Sequence, residues 1–275
     1  MRVSLKLRIP VVAITAMLAA CSPVPREATS PATLRDTDPA SLLRIHAGSP
    51  GRTFVALHDN ENEAAMSARA FVDAHGGRLV EVQAQGTRHI ALRRDGRRIT
   101  FDPNRVFTDA GRRRTLVEQG AAVDLAAIAA ARSFAMAVLH AIDLDTTPLL
   151  VAVHNNTDAA YSAASYAAGA ALAGDAAAVH LPPGADPDDF FLVTTRALFD
   201  ALRPSGYPVV LQDNARAADD GSLSILCGRR GIGYVNVEAQ HGHADVQHAM
   251  LDALDHALSN APDHAPSRVS APARR

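Results

Sequence analysis

Short apolar runs separated by longer segments of helical period constrain this chain more than any other feature of it. Thr53–Leu57, Arg78–Val82, His89–Leu92, Ile99–Phe101, Leu149–Val153, Ala176–Leu181, Val209–Gln212 and Gly233–Val237 have strand length and strand composition. Helical spacing predicts helices over Asn62–Ala74, Asp124–Ile142, Phe190–Leu202 and Ala244–Leu258. Such alternation buries both faces of a sheet under helices, so the expected fold is a three-layer α/β/α domain with a mixed, mainly parallel sheet. Ala159–Ala173 stays open between helix and loop, because alanine favours helix while glycine and serine interrupt the run.

Polar residues stand at the carboxyl ends of the expected strands, where open α/β sheets gather their ligands. His58 follows the first run, Asn104 and Arg105 follow Ile99–Phe101, His154 follows Leu149–Val153, and Glu238 follows Gly233–Val237. A carboxylate at the end of so apolar a strand as the last needs a partner or a task.

His58-Asp59-Asn60-Glu61 is an H-x-x-E tetrad at a strand end, with helical spacing after it. If the chain turns there, both side chains can meet one ion, and His154 supplies a third ligand from another strand end. Two imidazoles and a carboxylate suit zinc and leave a coordination position open for water. The expected cofactor is therefore Zn2+, held by His58, Glu61 and His154. Asn155–Thr157, Tyr161 and Ser162 follow the third ligand as candidate pocket residues, and they read equally well as turn residues. His241 and His243 lie just past Glu238 and are left out of the metal set.

The motifs resemble those of the zinc carboxypeptidases, nearest to the succinylglutamate desuccinylase/aspartoacylase branch. His58…Glu61, Asp102-Pro103-Asn104-Arg105-Val106-Phe107, Val153-His154-Asn155 and Val237-Glu238-Ala239 match that branch in order. The chain departs from it at Asp59, where a glycine is usual. The resemblance implies a zinc-carboxypeptidase-like (phosphorylase/hydrolase-like) fold and a catalytic Glu238 that takes a proton from the metal's water and returns it to the leaving amine. It implies that Arg105 clamps a substrate carboxylate with help from Asn104. The same Asp102–Arg105 run also reads as a turn closing the loop after its strand. An arginine that stabilises the oxyanion is implied too, and among Arg88, Arg93, Arg94, Arg97 and Arg98 the separation from Asn104 favours Arg88.

The leader carries Arg2, Lys6 and Arg8, then an apolar run from Ile9 to Ala20, then Leu18-Ala19-Ala20-Cys21 in the manner of a bacterial lipobox. The expectation is a lipoprotein signal over 1–21, lipidation of Cys21, a flexible tether over 22–40, a catalytic domain over 41–260 and a disordered tail over 261–275. The lipid would tether the chain to a membrane surface. Ser22 stands where an aspartate often marks inner-membrane retention, so the expected place is the cell envelope, at the outer membrane facing the periplasm. Beyond Cys21 only Cys227 remains, which excludes an intramolecular disulfide in the processed chain. A formal net charge of −2 gives no nucleic-acid footprint. There is no G-x-S-x-G elbow, phosphate loop or dinucleotide loop. These readings converge on a zinc hydrolase that cleaves an amide next to a carboxylate. Its substrate would be a small peptide, a cell-wall peptide on grounds of compartment, or an N-acylamino acid. The alternative is a non-catalytic, lipid-anchored protein that binds carboxylates on the same fold.

Overall fold

The computed structural model describes residues 36–157 and 161–260. The expected signal with Cys21, residues 22–35 of the expected tether and the tail over 261–275 lie outside the described residues. The domain begins earlier than residue 41. Thr37 N–H donates to the Arg93 carbonyl (2.9 Å), the Asp36 carboxylate accepts from Asp95 N (2.8 Å), and Asp38 caps a short 3-10 turn over Pro39–Leu42.

In chain order the elements are β1 (Leu43–Ala47), β2 (Thr53–Ala56), α1 (Asn62–His75), β3 (Arg78–Val82), β4 (Ile90–Arg94), β5 (Arg97–Phe101), α2 (Asp109–Glu118) and α3 (Leu125–Ala141). There follow β6 (Leu149–Asn156), β7 (Ala176–His180), β8 (Phe190–Val193), α4 (Arg196–Leu202), β9 (Val209–Gln212), α5 (Leu223–Arg230), β10 (Gly233–Gln240) and α6 (Ala244–Asn260). Eight strands form one mixed sheet in the order β1-β3-β2-β6-β10-β8-β9-β7, and β4 pairs with β5 as a separate hairpin. The centre is parallel, β3-β2-β6-β10, and antiparallel pairs join β1 to β3, β8 to β10 and β7 to β9.

Two cores flank this sheet, which makes the three-layer α/β/α architecture. Val55, Leu57, Leu150, Ala152 and Tyr234 pack on one face with α2, α3, α5 and the hairpin. Phe54, Val151, Val153, Val235 and Val237 pack on the other with α1, α4 and α6. Period-two alternation along each strand feeds the two cores by turns. In α3 the buried stripe Ala127, Ala130, Ala131, Ala135 leaves room for Phe134 to lie against Phe101, ring centres 5.5 Å apart.

The helix expected over Phe190–Leu202 is instead a strand and a shorter helix. Phe190 and Leu192 serve one core while Phe191 and Val193 serve the other. A continuous apolar run cannot be told from a buried helix by period alone. Thr195 then accepts from Leu198 N and starts α4. β1, α2 and α5 carry weaker patterns. β1 is a half-exposed edge strand, α2 is arginine-rich, and α5 is an eight-residue helix capped by Ser222 and ended by Gly231 at φ 68°. Among the described residues no helix is long and apolar enough to cross a membrane.

Candidate metal centre

Parity on the sheet decides which side chains meet. In β6 and β10 the even-numbered residues face the core beneath α2 and α3, so His154, Asn236 and Glu238 share that face with Tyr234. The parallel register sets Glu238 directly beside His154. One strand further, β2 ends at Ala56 and the chain turns back, the Glu61 N–H donating to the His58 carbonyl at 3.1 Å.

This turn aims both side chains of the tetrad at His154. His58 Nδ1 lies 2.8 Å from Glu61 Oε1, and His154 Nδ1 lies 2.7 Å from Glu61 Oε2. His58, Glu61 and His154 are all buried, and their ligand atoms lie within 4.8 Å of one another. Glu61 is also the residue before α1, yet its carboxylate caps nothing there. Asn155 does that work from β6, its Oδ1 accepting from Ala64 N at 2.8 Å while its amide donates to Gln247 of α6.

The donor set fits a divalent cation. His58 Nδ1 stands close to Glu61 but outside hydrogen-bond geometry, so a buried ring nitrogen has no hydrogen-bond partner. On the opposite edge of the ring, His58 Nε2 lies 3.0 Å from Asp102 Oδ1. A carboxylate there fixes the proton on Nε2 and turns the Nδ1 lone pair toward Glu61, which is how outer carboxylates orient metal-binding histidines. Three carboxylates, Glu61, Asp102 and Glu238, are buried in one cluster. Arg88 meets two of these carboxylates, and a divalent cation between the imidazoles would meet the charge of Glu61 from the buried side.

The protonation tendencies follow from the same crowding. Burial alone would lower His58, but Glu61 and Asp102 overcome it and raise the imidazole above its usual range. Glu61 and Asp102 are held well below the carboxylate range despite burial, Glu61 by His154 and His58, Asp102 by His58 and then Arg88. Glu238 goes the other way. Burial pushes it up to about 7, against the pull of His154 and with the push of Glu61. Asn236 holds one of its oxygens, Nδ2 donating to Oε2 at 2.7 Å.

A cleft of ≈570 Å³ opens over these groups, with Arg88, Asn104, Arg105 and Tyr161 in its wall. Arg88 reaches Glu61 Oε1 at 2.8 Å and Asp102 Oδ2 at 3.3 Å. Arg105 sits in the turn that Asp102 caps, its Nη1 2.8 Å from the Asn104 carbonyl and 3.6 Å from Asp220. The turn is braced from below, where α2 and the loop before α5 touch backbone to backbone. A Cβ on Gly221 (φ 85°) would come within 2.4 Å of the Arg105 carbonyl oxygen, so only glycine fits. Asn104 Oδ1 accepts from Leu223 N at 3.1 Å, which leaves its amide nitrogen for the cleft. Thus the metal set, Glu238, Arg88, Asn104 and Arg105 all meet in one place.

Some groups here escaped the sequence. Asp102 read as a turn residue, and it both caps that turn and holds His58. Asn236 was findable, since residues two apart on a strand share a face. Asp220 and Tyr166 carry no local signal, yet Asp220 pairs with Arg105, and the Tyr166 hydroxyl meets that of Tyr161 at 2.8 Å. His243 stays apart from the centre. It pairs with Asp189 (3.0 Å), which also accepts from Gln240 N and so fastens the end of β10. Asp186, Asp189 and His243 also lie within metal-binding reach of one another.

Asp102→Asn should weaken divalent-metal binding by about 10–100-fold, the usual cost of losing an outer carboxylate. Competition with a chromogenic chelator reads this directly. An unchanged metal affinity would mean that Asp102 does not orient His58.

No protein-family model matches this chain, and no curated protein matches it. Among solved structures it is similar to a candidate metallopeptidase from Shewanella amazonensis SB2B, at 14% identity and a TM-score of 0.40, over 80% of this chain and 82% of that one. It is similar to the ectoine utilization protein EutE (DoeB) from Ruegeria pomeroyi, at 16% identity and TM-score 0.40, over 78% and 60% of the two chains. It is similar also to a metallo-carboxypeptidase from Burkholderia cenocepacia, at 15% identity and TM-score 0.40, over 79% and 60%. The chain thus spans less than two thirds of the latter two proteins, and the activities in these names belong to those proteins.

Proposed function

We propose that this chain is a zinc-dependent hydrolase that cleaves an amide bond next to a carboxylate, in a small peptide or an N-acylamino acid. The observation that supports it most is the register of β6 and β10, which sets Glu238 beside His154 on the face where His58 and Glu61 converge. In this reading His58, Glu61 and His154 hold the ion. Zinc bound there lowers the pKa of water and polarises a carbonyl oxygen.

The remaining steps fall to side chains of the chain itself. Glu238 takes a proton from the attacking water and delivers it to the amide nitrogen as the amine leaves. A buried carboxylate within reach of the metal's water can serve both halves of that transfer, accepting the proton and then returning it. Arg88 donates to the carbonyl oxygen as charge gathers on it. Arg105 takes the substrate carboxylate, exchanging Asp220 for it, and the free amide of Asn104 adds a hydrogen bond. The leader and Cys21 support a place in the cell envelope, which makes cell-wall peptides the first class of substrate to try.

The test is to purify the processed protein, measure its zinc, and assay release of amine from muropeptides and from N-acylamino acids. Each substrate is offered with its carboxylate free and as the methyl ester. The free acid should be cleaved with kcat/KM about 10–100-fold above the ester, the worth of a hydrogen bond to a charged group. Zinc-loaded protein that releases amine from neither class would end the hydrolase reading, and equal rates on acid and ester would remove Arg105 from recognition. Mass spectrometry of the same preparation reads whether Cys21 is acylated.

A further inference from the structure

Asp59 lies inside the metal tetrad but faces away from it. Its Oδ2 accepts from two backbone amides of another loop, Ala84 N at 2.6 Å and Gly86 N at 2.8 Å. That loop is a tight turn ending one residue before Arg88. Thr87 N–H closes it onto the Ala84 carbonyl at 3.1 Å, and Thr87 Oγ1 donates to the same carbonyl at 2.7 Å. Two successive residues, Gln85 (φ 55°) and Gly86 (φ 71°), take the left-handed conformation. For glutamine this is strained, and such a turn persists only where its surroundings over-determine it. Two N–H groups converging on one carboxylate oxygen supply that determination, as charge-assisted bonds in a backbone nest.

What the turn delivers is Arg88. The side chain runs from the end of the turn back over the site, to Glu61 Oε1 at 2.8 Å and Asp102 Oδ2 at 3.3 Å. It is 41% exposed, so packing does little to hold it. Besides those two ion pairs, its aim depends on where its own backbone starts, and the backbone is tied to the residue next to His58. We propose that Asp59 is the positioning residue for Arg88: it fastens the 84–87 turn to the metal tetrad and so sets the guanidinium over the reacting carbonyl. The catalytic consequence rests on the hydrolase reading above, whereas the positional one does not.

A double-mutant cycle on turnover tests the first part. Arg88→Ala should lower kcat about a hundredfold, as loss of an oxyanion donor does. Asp59→Ala should lower kcat about tenfold with KM and zinc content unchanged, since small misplacements of a catalytic group are costly. Asp59→Asn, which keeps an acceptor oxygen, should recover part of that loss. The combined variant should be no slower than Arg88→Ala alone. If the two losses multiply, Asp59 acts through something other than Arg88 and the proposal falls.

The second part is read without substrate. The Arg88 Nε–H resonance, assigned by its absence in Arg88→Lys, should be protected from exchange in the zinc-loaded wild type and lose that protection in Asp59→Ala. A protected, unshifted Arg88 signal in Asp59→Ala overturns the proposal even in a protein that hydrolyses nothing. Absence of turnover in the wild type, with loss of the signal in the variant, would count against the hydrolase alone.

Discussion

Glu238→Gln should keep the zinc of the wild type and lose about a thousandfold in kcat, within the range for removal of a general acid–base group. Glutamine fills the same space and can still accept from Asn236 Nδ2, so the strand pairing and the metal ligands are left alone. The substitution should also stabilise the metal-free protein at alkaline pH. Burial raises the folded pKa of Glu238 to about 7, from an ordinary 4.5. Below pH 4.5 the carboxyl is protonated folded and unfolded alike and costs nothing. As pH rises toward 7 the unfolded chain ionises first, the folded form is penalised, and above 7 the penalty is complete. Thermal melts in chelator should therefore separate wild type and Glu238→Gln at pH 8, with the variant higher, and bring them together near pH 4. Turnover within tenfold of wild type would remove Glu238 from the chemistry. A protein that binds carboxylate ligands unchanged in this variant and hydrolyses nothing in either form would be the non-catalytic carboxylate binder instead.

His154→Ala should abolish stabilisation by zinc. At free zinc 100 times the dissociation constant, the wild type should gain about 2.7 kcal/mol, or roughly 5–10 °C in midpoint for a domain of this size. The alanine variant has only His58 and Glu61 left, and it should show no shift and retain no zinc through dialysis. Glu61→Gln makes the same point with a side chain of equal size. A control at Arg196, whose ion pair with Asp200 lies on the surface, should shift like the wild type. Full zinc content in His154→Ala would mean that the ion sits elsewhere. The Asp186, Asp189 and His243 group would then be the next place to look.

Much of the chain's chemistry was readable before its fold. The H-x-x-E tetrad, the Asp102–Phe107 run, His154 and Glu238 announce themselves because side-chain type and a place just past an apolar run are local properties, although β6 and β10 run two residues beyond His154 and Glu238. The same holds for α1, α3 and α6, whose apolar periods are long, and for the central strands, whose apolar runs are too short for a helix and are set off by polar residues. Where the period was short or two-sided it failed. Phe190–Val193 looked like the start of a helix because a strand buried on both faces has no alternation to show. The arginines of α2 hid a helix held by Thr108 at its start and by Arg112 on the Val106 carbonyl.

By itself the sequence determined which atoms are available: two imidazoles, their carboxylate, a buried glutamate and arginines near at hand. Only the tertiary structure decided which of them meet. Strand neighbours are chosen by packing between elements distant in the chain, so no spacing foretells that His154 and Glu238 lie in register, or that Asp102 takes the far nitrogen of His58. The partners that tune the site, Asp59 beneath the Arg88 turn and Asp220 across from Arg105, come from loops whose positions depend on the assembled sheet. Burial, which raises Glu238 and presses His58 against Glu61 and Asp102, exists only once the two cores have closed around them.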